Sequence, residues 1–139
     1  MDARMLTPRL SVSPQIAVED IPAIVEAGFK TVICNRPDEE VPPSHQAAAL
    51  RTAVEAAGLK FELLPLTHQT MTPENIATQR NYYEENEGPV LAYCASGTRC
   101  SVIWALGQAG ELGVDVVLTT ALQAGYDLSG LRPRLEAGN

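Results

Sequence analysis

Hydrophobic and polar positions alternate along the chain in blocks that predict strands and helices in turn. Short apolar runs rich in β-branched residues predict strands over 10–16, 30–34, 61–64 and 90–93, the first an edge strand that Pro14 interrupts. Longer segments with capping residues at their starts and glycines at their ends predict helices. These helices are expected over 20–27, 44–57, 73–86, 99–112, 115–124 and 131–136.

This alternation predicts an α/β fold with a mainly parallel central sheet flanked by helices. Residues 1–9 are polar and irregular and are expected to form a flexible N-terminus, while residues 10–139 form a single domain. In a parallel sheet the functional groups are expected at the carboxyl ends of the strands. The segment directly after the strand over 90–93 is therefore the first candidate for a functional site.

Composition narrows the partners that the chain can have. The net charge of -7, with no basic cluster, argues against nucleic acid and an anionic membrane surface as partners. No run approaches the ~18 apolar residues of a spanning helix, and no signal peptide is evident, so a cytoplasmic location is expected. The 3 cysteines are an odd number without a secretory context, and they favour thiol chemistry over a disulfide framework.

The candidate chemistry lies where the 90–93 strand meets the next helix. Cys94 ends the strand, a loop of small residues follows, and Arg99 opens a helix whose residues 100–110 carry no charge. Backbone N–H groups and the helix dipole stabilise an anion or a thiolate at such a point, and Arg99 adds a permanent positive charge. We therefore predict Cys94 as nucleophile and Arg99 as its anion-binding partner, with a Cys94 pKa in the range of roughly 3.5–7.5.

The loop has the spacing Cys-x4-Arg, from Cys94 to Arg99, which resembles the six-residue loop of rhodanese-like sulfurtransferases. Cysteine-dependent phosphatases carry one residue more. From Ser13 onward the chain also resembles a bacterial family related to dual-specificity phosphatases, the phosphatase-like family of beta-lactamase hydrolase-like proteins. The matching words are Ser13-Pro14-Gln15-Ile16, Ala27-Gly28-Phe29-Lys30-Thr31-Val32-Ile33, Asn35-Arg36-Pro37-Asp38, Gly88-Pro89-Val90-Leu91-Ala92-Tyr93-Cys94, Ser96-Gly97-Thr98-Arg99 and Ala124-Gly125-Tyr126-Asp127-Leu128.

This resemblance implies a single-domain protein-tyrosine or dual-specificity phosphatase-like fold that holds a rhodanese-like loop. A phosphatase of this fold would carry His before the nucleophile, where this chain has Tyr93, and a general-acid Asp in the loop over 66–72, which contains no carboxylate. His68 is the one candidate acid there. Sulfur transfer needs no such acid, so the expected function is a sulfurtransferase. The alternatives are a cysteine-dependent phosphatase and a non-catalytic anion-binding or partner-binding module.

Several further residues are predicted around the nucleophile. The substrate cradle is assigned to Ala95, Ser96, Gly97, Thr98, Cys100 and Ser101, with Arg36 as a second anion contact. Cys100 is equally consistent with plain packing, and Asp38, Glu39 and Glu40 with a solvated loop. Cys34 or Cys100 is a candidate redox partner that would close a disulfide with Cys94.

The expected ligands and partners are derived from the same chemistry. No metal spacing is present and no cofactor is expected. The expected partners are a small anionic sulfur donor, such as thiosulfate or a low-molecular-weight persulfide, and a thiol acceptor. Members of the family that the chain resembles are found alone or fused to metallo-β-lactamase-like domains of sulfide metabolism, so the resemblance also implies a persulfide dioxygenase-like or sulfide-oxidising partner enzyme.

Overall fold

A five-stranded sheet forms the centre of the protein in a computed structural model that describes residues 1–138. The strands are β1 (Arg4–Met5), β2 (Leu10–Ser13), β3 (Thr31–Cys34), β4 (Lys60–Leu63) and β5 (Val90–Tyr93). The helices are α1 (Ile21–Glu26), α2 (Ala47–Ala56), α3 (Pro73–Glu85), α4 (Thr98–Leu112), α5 (Val114–Gln123) and α6 (Arg132–Glu136). Short 3₁₀ turns cover Val18–Asp20, Asp38–Glu40, Pro43–His45 and Ser129–Leu131.

The strand order is β1-β2-β5-β3-β4, with β1 antiparallel to β2 and every other pair parallel. Strand β5 therefore lies in the middle of the sheet. Its last residue, Tyr93, is in register with Ser13 of β2 and with Cys34 of β3. The chain thus leaves three neighbouring strands at one edge, which places the segment after β5 between those after β2 and β3. This is the α/β fold that the alternation of strands and helices predicts.

Helices cover both faces of the sheet. Helices α1 and α2 bury apolar residues in one core cluster, and helices α3, α4, α5 and α6 bury theirs in the other. Helix α4 is buried along most of its length, as its lack of charge predicts. Burial of Ile103 and Leu106 contributes roughly 1.5–3 kcal/mol each. Within residues 1–138, no helix has the combined length and apolar character that a bilayer span requires.

The N-terminal segment is more regular than its sequence predicts. Strand β1 pairs with β2, and Leu6 is buried in the core. Consequently β2 is an interior strand and not the predicted edge strand, and it ends at Ser13 before Pro14. The run from Arg4 to Met5 is too short for periodicity to reveal it, because its pairing depends on a partner strand.

Helix α3 begins where the sequence predicts, and helix α2 does not. Pro73 occupies the first position of α3, and the Thr72 hydroxyl accepts a hydrogen bond from the Asn75 N–H at 3.1 Å. Helix α2 begins at Ala47, later than the predicted start at residue 44. The Asp38 carboxylate accepts the Ala47 N–H at 2.8 Å, so a residue assigned to a solvated loop stabilises this helix N-terminus.

A buried amide pair joins the end of β3 to α3. The Asn35 side chain donates to Gln79 Oε1 at 2.9 Å and accepts from Gln79 Nε2 at 2.8 Å. It also donates to the Leu64 carbonyl at 2.9 Å, which holds the segment after β4. Both side chains are almost fully buried, so each depends on the other to satisfy its polar atoms.

Removing this amide is expected to destabilise the fold strongly. Asn35→Ala leaves the Gln79 amide and the Leu64 carbonyl unsatisfied in the interior, and we expect the free energy of unfolding to fall by about 2–4 kcal/mol. Urea denaturation followed by circular dichroism measures this loss. Asn81→Ala, on the exposed side of α3, is the matched control and should change the unfolding free energy by less than about 0.5 kcal/mol.

Candidate active site

The Cys94 sulfur lies at the junction between β5 and the N-terminus of α4. The Gly97 N–H donates to Cys94 Sγ at 3.2 Å, and the N–H groups of Arg99 and Cys100 are also directed at this sulfur. These three donors belong to the loop and the first turn of α4, where a helix leaves N–H groups unpaired. Cys94 has no exposed surface, so its sulfur is surrounded by protein donors rather than by water.

This environment favours the thiolate. The hydrogen bond from the Cys100 thiol is the largest cause, and with the three backbone N–H groups it outweighs burial and lowers the pKa of Cys94 to about 5. The value lies inside the range predicted from the sequence. At neutral pH the Cys94 side chain is therefore a thiolate.

Cys100 supports the nucleophile from the interior of the protein. Its side chain is 1% exposed, and its thiol also lies 3.2 Å from Asn35 Oδ1. A thiol has one proton, so Cys100 donates either to Asn35 or to the Cys94 thiolate. Burial raises the pKa of Cys100 well above its usual value, which keeps that proton in place. Cys100 thus contacts Cys94 from the interior, and its predicted contact with substrate stays a prediction.

Gly97 allows the loop to turn tightly. Its φ is +95°, and an added Cβ would lie 2.2 Å from the Tyr126 hydroxyl oxygen. That hydroxyl donates to the Ser96 carbonyl at 3.0 Å and so holds the outer part of the loop. On the inner side the Ser101 hydroxyl donates to the Gly97 carbonyl at 2.8 Å. Ser101 is fully buried and its hydroxyl holds the loop backbone, while its predicted role in substrate binding stays a prediction.

The N-terminal strand supports Tyr126 from behind. The Arg4 guanidinium lies 5.7 Å from the centre of the Tyr126 ring and donates to the Ala124 carbonyl at 3.0 Å. A guanidinium near an aromatic ring at this distance is a cation–π contact. The segment that holds the Cys94 loop is thus itself held by β1.

Arg99 is fixed by two partners that leave one edge of its guanidinium available. Its Nη1 and Nη2 donate to the two carboxylate oxygens of Glu40 at 2.8 and 2.7 Å, and Nη1 also donates to the Leu66 carbonyl at 2.8 Å. Nε and the remaining Nη2 hydrogen have no partner among the described residues. A guanidinium has five donors in a rigid fork, so these two can bind an oxyanion side-on.

Arg36 is committed to other side chains. It donates to Glu40 Oε1 at 3.2 Å and to Gln15 Oε1 at 3.3 Å. Glu40 therefore bridges Arg36 and Arg99, and the hydrogen bond from Arg99 is the main cause that lowers the pKa of Glu40. Glu40 is exposed, as the predicted solvated loop implies, but its carboxylate is paired with both arginines, which the sequence did not predict. Arg36 is placed near the site as predicted, but it acts on Glu40 rather than pointing freely at an anion.

The outer rim of the loop consists of small residues. Ala95 and Ser96 are exposed, and Thr98 is partly exposed. The Ser96 and Thr98 hydroxyls lie 2.9 Å apart, and Ser96 Oγ accepts the Thr98 N–H at 3.3 Å. Ser96 therefore satisfies one N–H at the start of α4, and the rim carries no charged side chain.

Cys34 is not placed to form a direct disulfide with Cys94. It packs in the core cluster on the α1 and α2 face with Tyr93, whereas Cys94 and Cys100 belong to the cluster on the other face. Its thiol faces the Arg36 carbonyl at 3.5 Å, and burial raises its pKa. Of the two predicted redox partners, only Cys100 adjoins Cys94, and all three cysteines are free.

Neither an acid nor a metal centre is assembled at this site in the described part of the chain. His68 is exposed on the loop after β4, and no contact joins it to Cys94 or Arg99. Residues 1–138 contain no group of three or more His, Cys, Asp or Glu side chains that could hold a metal ion. The chemistry of the described site therefore centres on one thiolate, its N–H donors and Arg99.

Residues 2–111 match the family described as beta-lactamase hydrolase-like protein, phosphatase-like domain. The chain belongs to this family. A curated relative, the beta-lactamase hydrolase-like protein of Agrobacterium fabrum, is 34% identical over 109 residues, which are 78% of this chain and 25% of that protein. The chain thus spans about a quarter of that relative's length.

Solved structures agree with the family assignment. A protein of Neisseria meningitidis Z2491, provisionally described as a phosphatase, is 35% identical with a TM-score of 0.89, and the match covers 100% of this chain and 99% of that one. The structure of Tk-PTP in its active form is 15% identical with a TM-score of 0.69, covering 98% of this chain and 94% of that one. At this lower identity the second likeness concerns the fold alone. The protein therefore has the phosphatase-like fold that the sequence resemblance implied.

The sequence interpretation missed Glu40, Tyr126 and Asn35 as parts of the site. Each comes from a segment distant in sequence: Glu40 pairs with Arg99, Tyr126 holds the loop, and Asn35 contacts the Cys100 thiol. Local patterns do not reveal these contacts. The sequence could have indicated Tyr126, since Gly125-Tyr126 belongs to one of the segments that carry the family resemblance. No sequence signal separates Glu40 from its neighbours Asp38 and Glu39.

Ionisation of Cys94 can be read from the pH dependence of alkylation. Because its pKa is about 5, the rate of reaction with iodoacetamide should rise between about pH 4 and pH 6 and then remain level. An ordinary thiol continues to gain reactivity up to about pH 8.5. Intact mass spectrometry measures the rate, and Cys94→Ser controls for Cys34 and Cys100. A rate that still climbs above pH 7 would contradict the thiolate.

Substitution of Gly97 tests the tight turn. Gly97→Ala places a Cβ against the Tyr126 hydroxyl and imposes a left-handed φ on alanine, so we expect the free energy of unfolding to fall by at least about 1 kcal/mol. Gly110→Ala on α4 is the control, because no atom lies within 4 Å of its added Cβ. That variant should be neutral or stabilised by up to about 1 kcal/mol. Equal effects of the two variants in thermal denaturation would overturn this account of the loop.

Proposed function

We propose that the protein is a sulfurtransferase that carries a sulfane sulfur on Cys94. The observation that carries the proposal is the six-residue loop from Cys94 to Arg99, whose N–H donors converge on the sulfur itself. A loop with fewer amides around the sulfur favours a single sulfur atom over the three oxygens of a transferred phosphoryl group. Ala95 and Ser96 form an exposed rim of small side chains beside this loop.

The reaction consists of two displacements at sulfur. The Cys94 thiolate attacks the sulfane sulfur of the donor, the bond from Cys94 Sγ to that sulfur forms, and the donor S–S bond breaks to release a thiolate or sulfite. An acceptor thiolate then attacks the terminal sulfur of the Cys94 persulfide. The electron pair of the breaking bond returns to Cys94, and its low pKa makes it a good leaving group in this step.

The absence of a placed acid supports sulfur transfer over ester hydrolysis. A thiolate or sulfite leaves without a proton, whereas an alkoxide leaving group needs one. Glu40 is the carboxylate paired with Arg99, and that pairing keeps it ionised. Asp38 accepts a hydrogen bond from the N-terminus of α2, so it too serves another purpose.

A cysteine-dependent phosphatase is the second candidate. The family and the fold favour it, since the matching family is described as phosphatase-like and the Neisseria relative as a provisional phosphatase. None of these descriptions mentions sulfur transfer. In this alternative, Cys94 forms a thiophosphate intermediate, the free edge of Arg99 binds the phosphoryl oxygens, and water completes the hydrolysis.

Partners and location form part of the same proposal. A carrier of sulfane sulfur needs a reaction that supplies a persulfide or thiosulfate and a thiol that accepts the sulfur, so a persulfide-oxidising enzyme is a fitting partner. A reducing compartment such as the cytoplasm provides low-molecular-weight thiols and keeps Cys94 reduced. The greater length of the Agrobacterium relative is compatible with such a partner in one chain.

Sulfur loading tests the proposal directly. After incubation with thiosulfate or glutathione persulfide, intact-protein mass spectrometry should show one added sulfur atom, which cyanide removes and which Cys94→Ser cannot acquire. Arg99→Lys should reduce the loading rate by roughly ten- to a hundredfold, because lysine cannot reproduce the side-on fork.

A parallel assay with an aryl phosphate separates the two candidates. Cys94-dependent release of phosphate without sulfur loading would replace the sulfurtransferase with the phosphatase. Failure of both reactions, together with an alkylation profile typical of an ordinary thiol, would favour a non-catalytic binding module.

A further inference from the structure

Glu40 occupies an unexpected position for a carboxylate, because it lies against the cation that binds the substrate anion. Both of its oxygens accept hydrogen bonds from Arg99, at 2.7 and 2.8 Å, and one also accepts from Arg36 at 3.2 Å. The Arg99 side chain is only 11% exposed, so water screens this pair incompletely on the Arg99 side. Glu40 thereby neutralises charge at the centre of the anion site.

The net charge of the side chains around Arg99 is not positive. Arg36 and Arg99 supply two positive charges, while Asp38, Glu39 and Glu40 on one short turn supply three negative charges. The Cys94 thiolate adds another negative charge. A bound anion is consequently held by directed donors, the amides and the free edge of Arg99, and not by a strongly positive field.

We propose that Glu40 is a specificity-determining residue that restricts the site to anions with a single charge on the reacting head group. A second negative charge on the ligand is repelled by the carboxylate on the far side of the guanidinium, while the directed hydrogen bonds remain the same. If the ligand is a sulfur donor, an inference that rests on the proposed function, Glu40 favours an organic persulfide anion over doubly charged thiosulfate. It disfavours the dianion of a phosphate monoester for the same reason.

Two tetrahedral anions test this discrimination without any reaction. Methanesulfonate carries one charge and sulfate two, and binding of each can be followed through the ¹⁵N–¹H signal of the Gly97 amide. Glu40→Gln removes the charge and retains one acceptor for Arg99. We expect it to strengthen sulfate binding about three- to tenfold more than methanesulfonate binding.

Glu39→Gln is the matched control, since it removes the same charge from the neighbouring residue. Glu39 is exposed and its side chain has no partner among the described residues. The ratio of sulfate to methanesulfonate affinity should change less than about twofold in this variant. An equal change in both variants would assign the effect to the general charge of the turn and overturn the proposal.

Two other results remain decisive. If Glu40→Gln weakens both anions equally, Glu40 only orients Arg99 and does not discriminate by charge. If the wild-type protein fails to acquire sulfur from a persulfide in the mass-spectrometry assay, the sulfurtransferase proposal fails, yet the sulfate to methanesulfonate ratio still decides the role of Glu40. In a protein that does load sulfur, Glu40→Gln should raise the rate with thiosulfate more than the rate with glutathione persulfide.

Discussion

A charged sulfur without any exposed surface is the constraint on which the site depends. A buried charge is costly unless donors replace the water that it has lost. At Cys94 these donors are the amides of the loop and of the first turn of α4, together with the Cys100 thiol. The turn at Gly97, the Tyr126 hydroxyl and the Ser101 hydroxyl all act to keep those amides in position.

Arg99 is organised by the same principle from the opposite side. A flexible arginine would lose conformational entropy each time it bound an anion, whereas here Glu40 and the Leu66 carbonyl hold it before any ligand arrives. This arrangement weakens the electrostatic attraction of Arg99 for an anion, because Glu40, which orients the guanidinium, also offsets its positive charge. Geometry and charge are therefore opposed at Glu40, and the balance between them determines which anions the site accepts.

The sequence predicted what local patterns encode. Strand β5, the small-residue loop and helix α4 are contiguous, so their order alone placed Cys94 and Arg99 close together. The segments that resemble the family supported the fold. The contacts that the sequence did not predict join residues 59 positions apart for Arg99 with Glu40, 30 for Tyr126 with Ser96, and 44 for Asn35 with Gln79. Such pairs depend on the three-dimensional arrangement of the elements, which no local pattern encodes. The sequence did not predict that Cys100 and Ser101 are buried, because spacing does not tell which side of a loop faces the interior.

Helix α4 sets a limit on how this site can change. Gly107 lets Ile76 and Tyr83 of α3 approach the helix closely, and Trp104 is almost completely buried, so α4 cannot slide along its axis without disrupting the core. Strand β5 is equally fixed by its two parallel neighbours. The loop between them has fixed ends, and any added residue must bulge outward over the rim because Tyr126 fills the space beside Gly97. With both ends of the loop fixed, evolution can enlarge the group that the Cys94 sulfur holds by adding residues between Cys94 and Arg99.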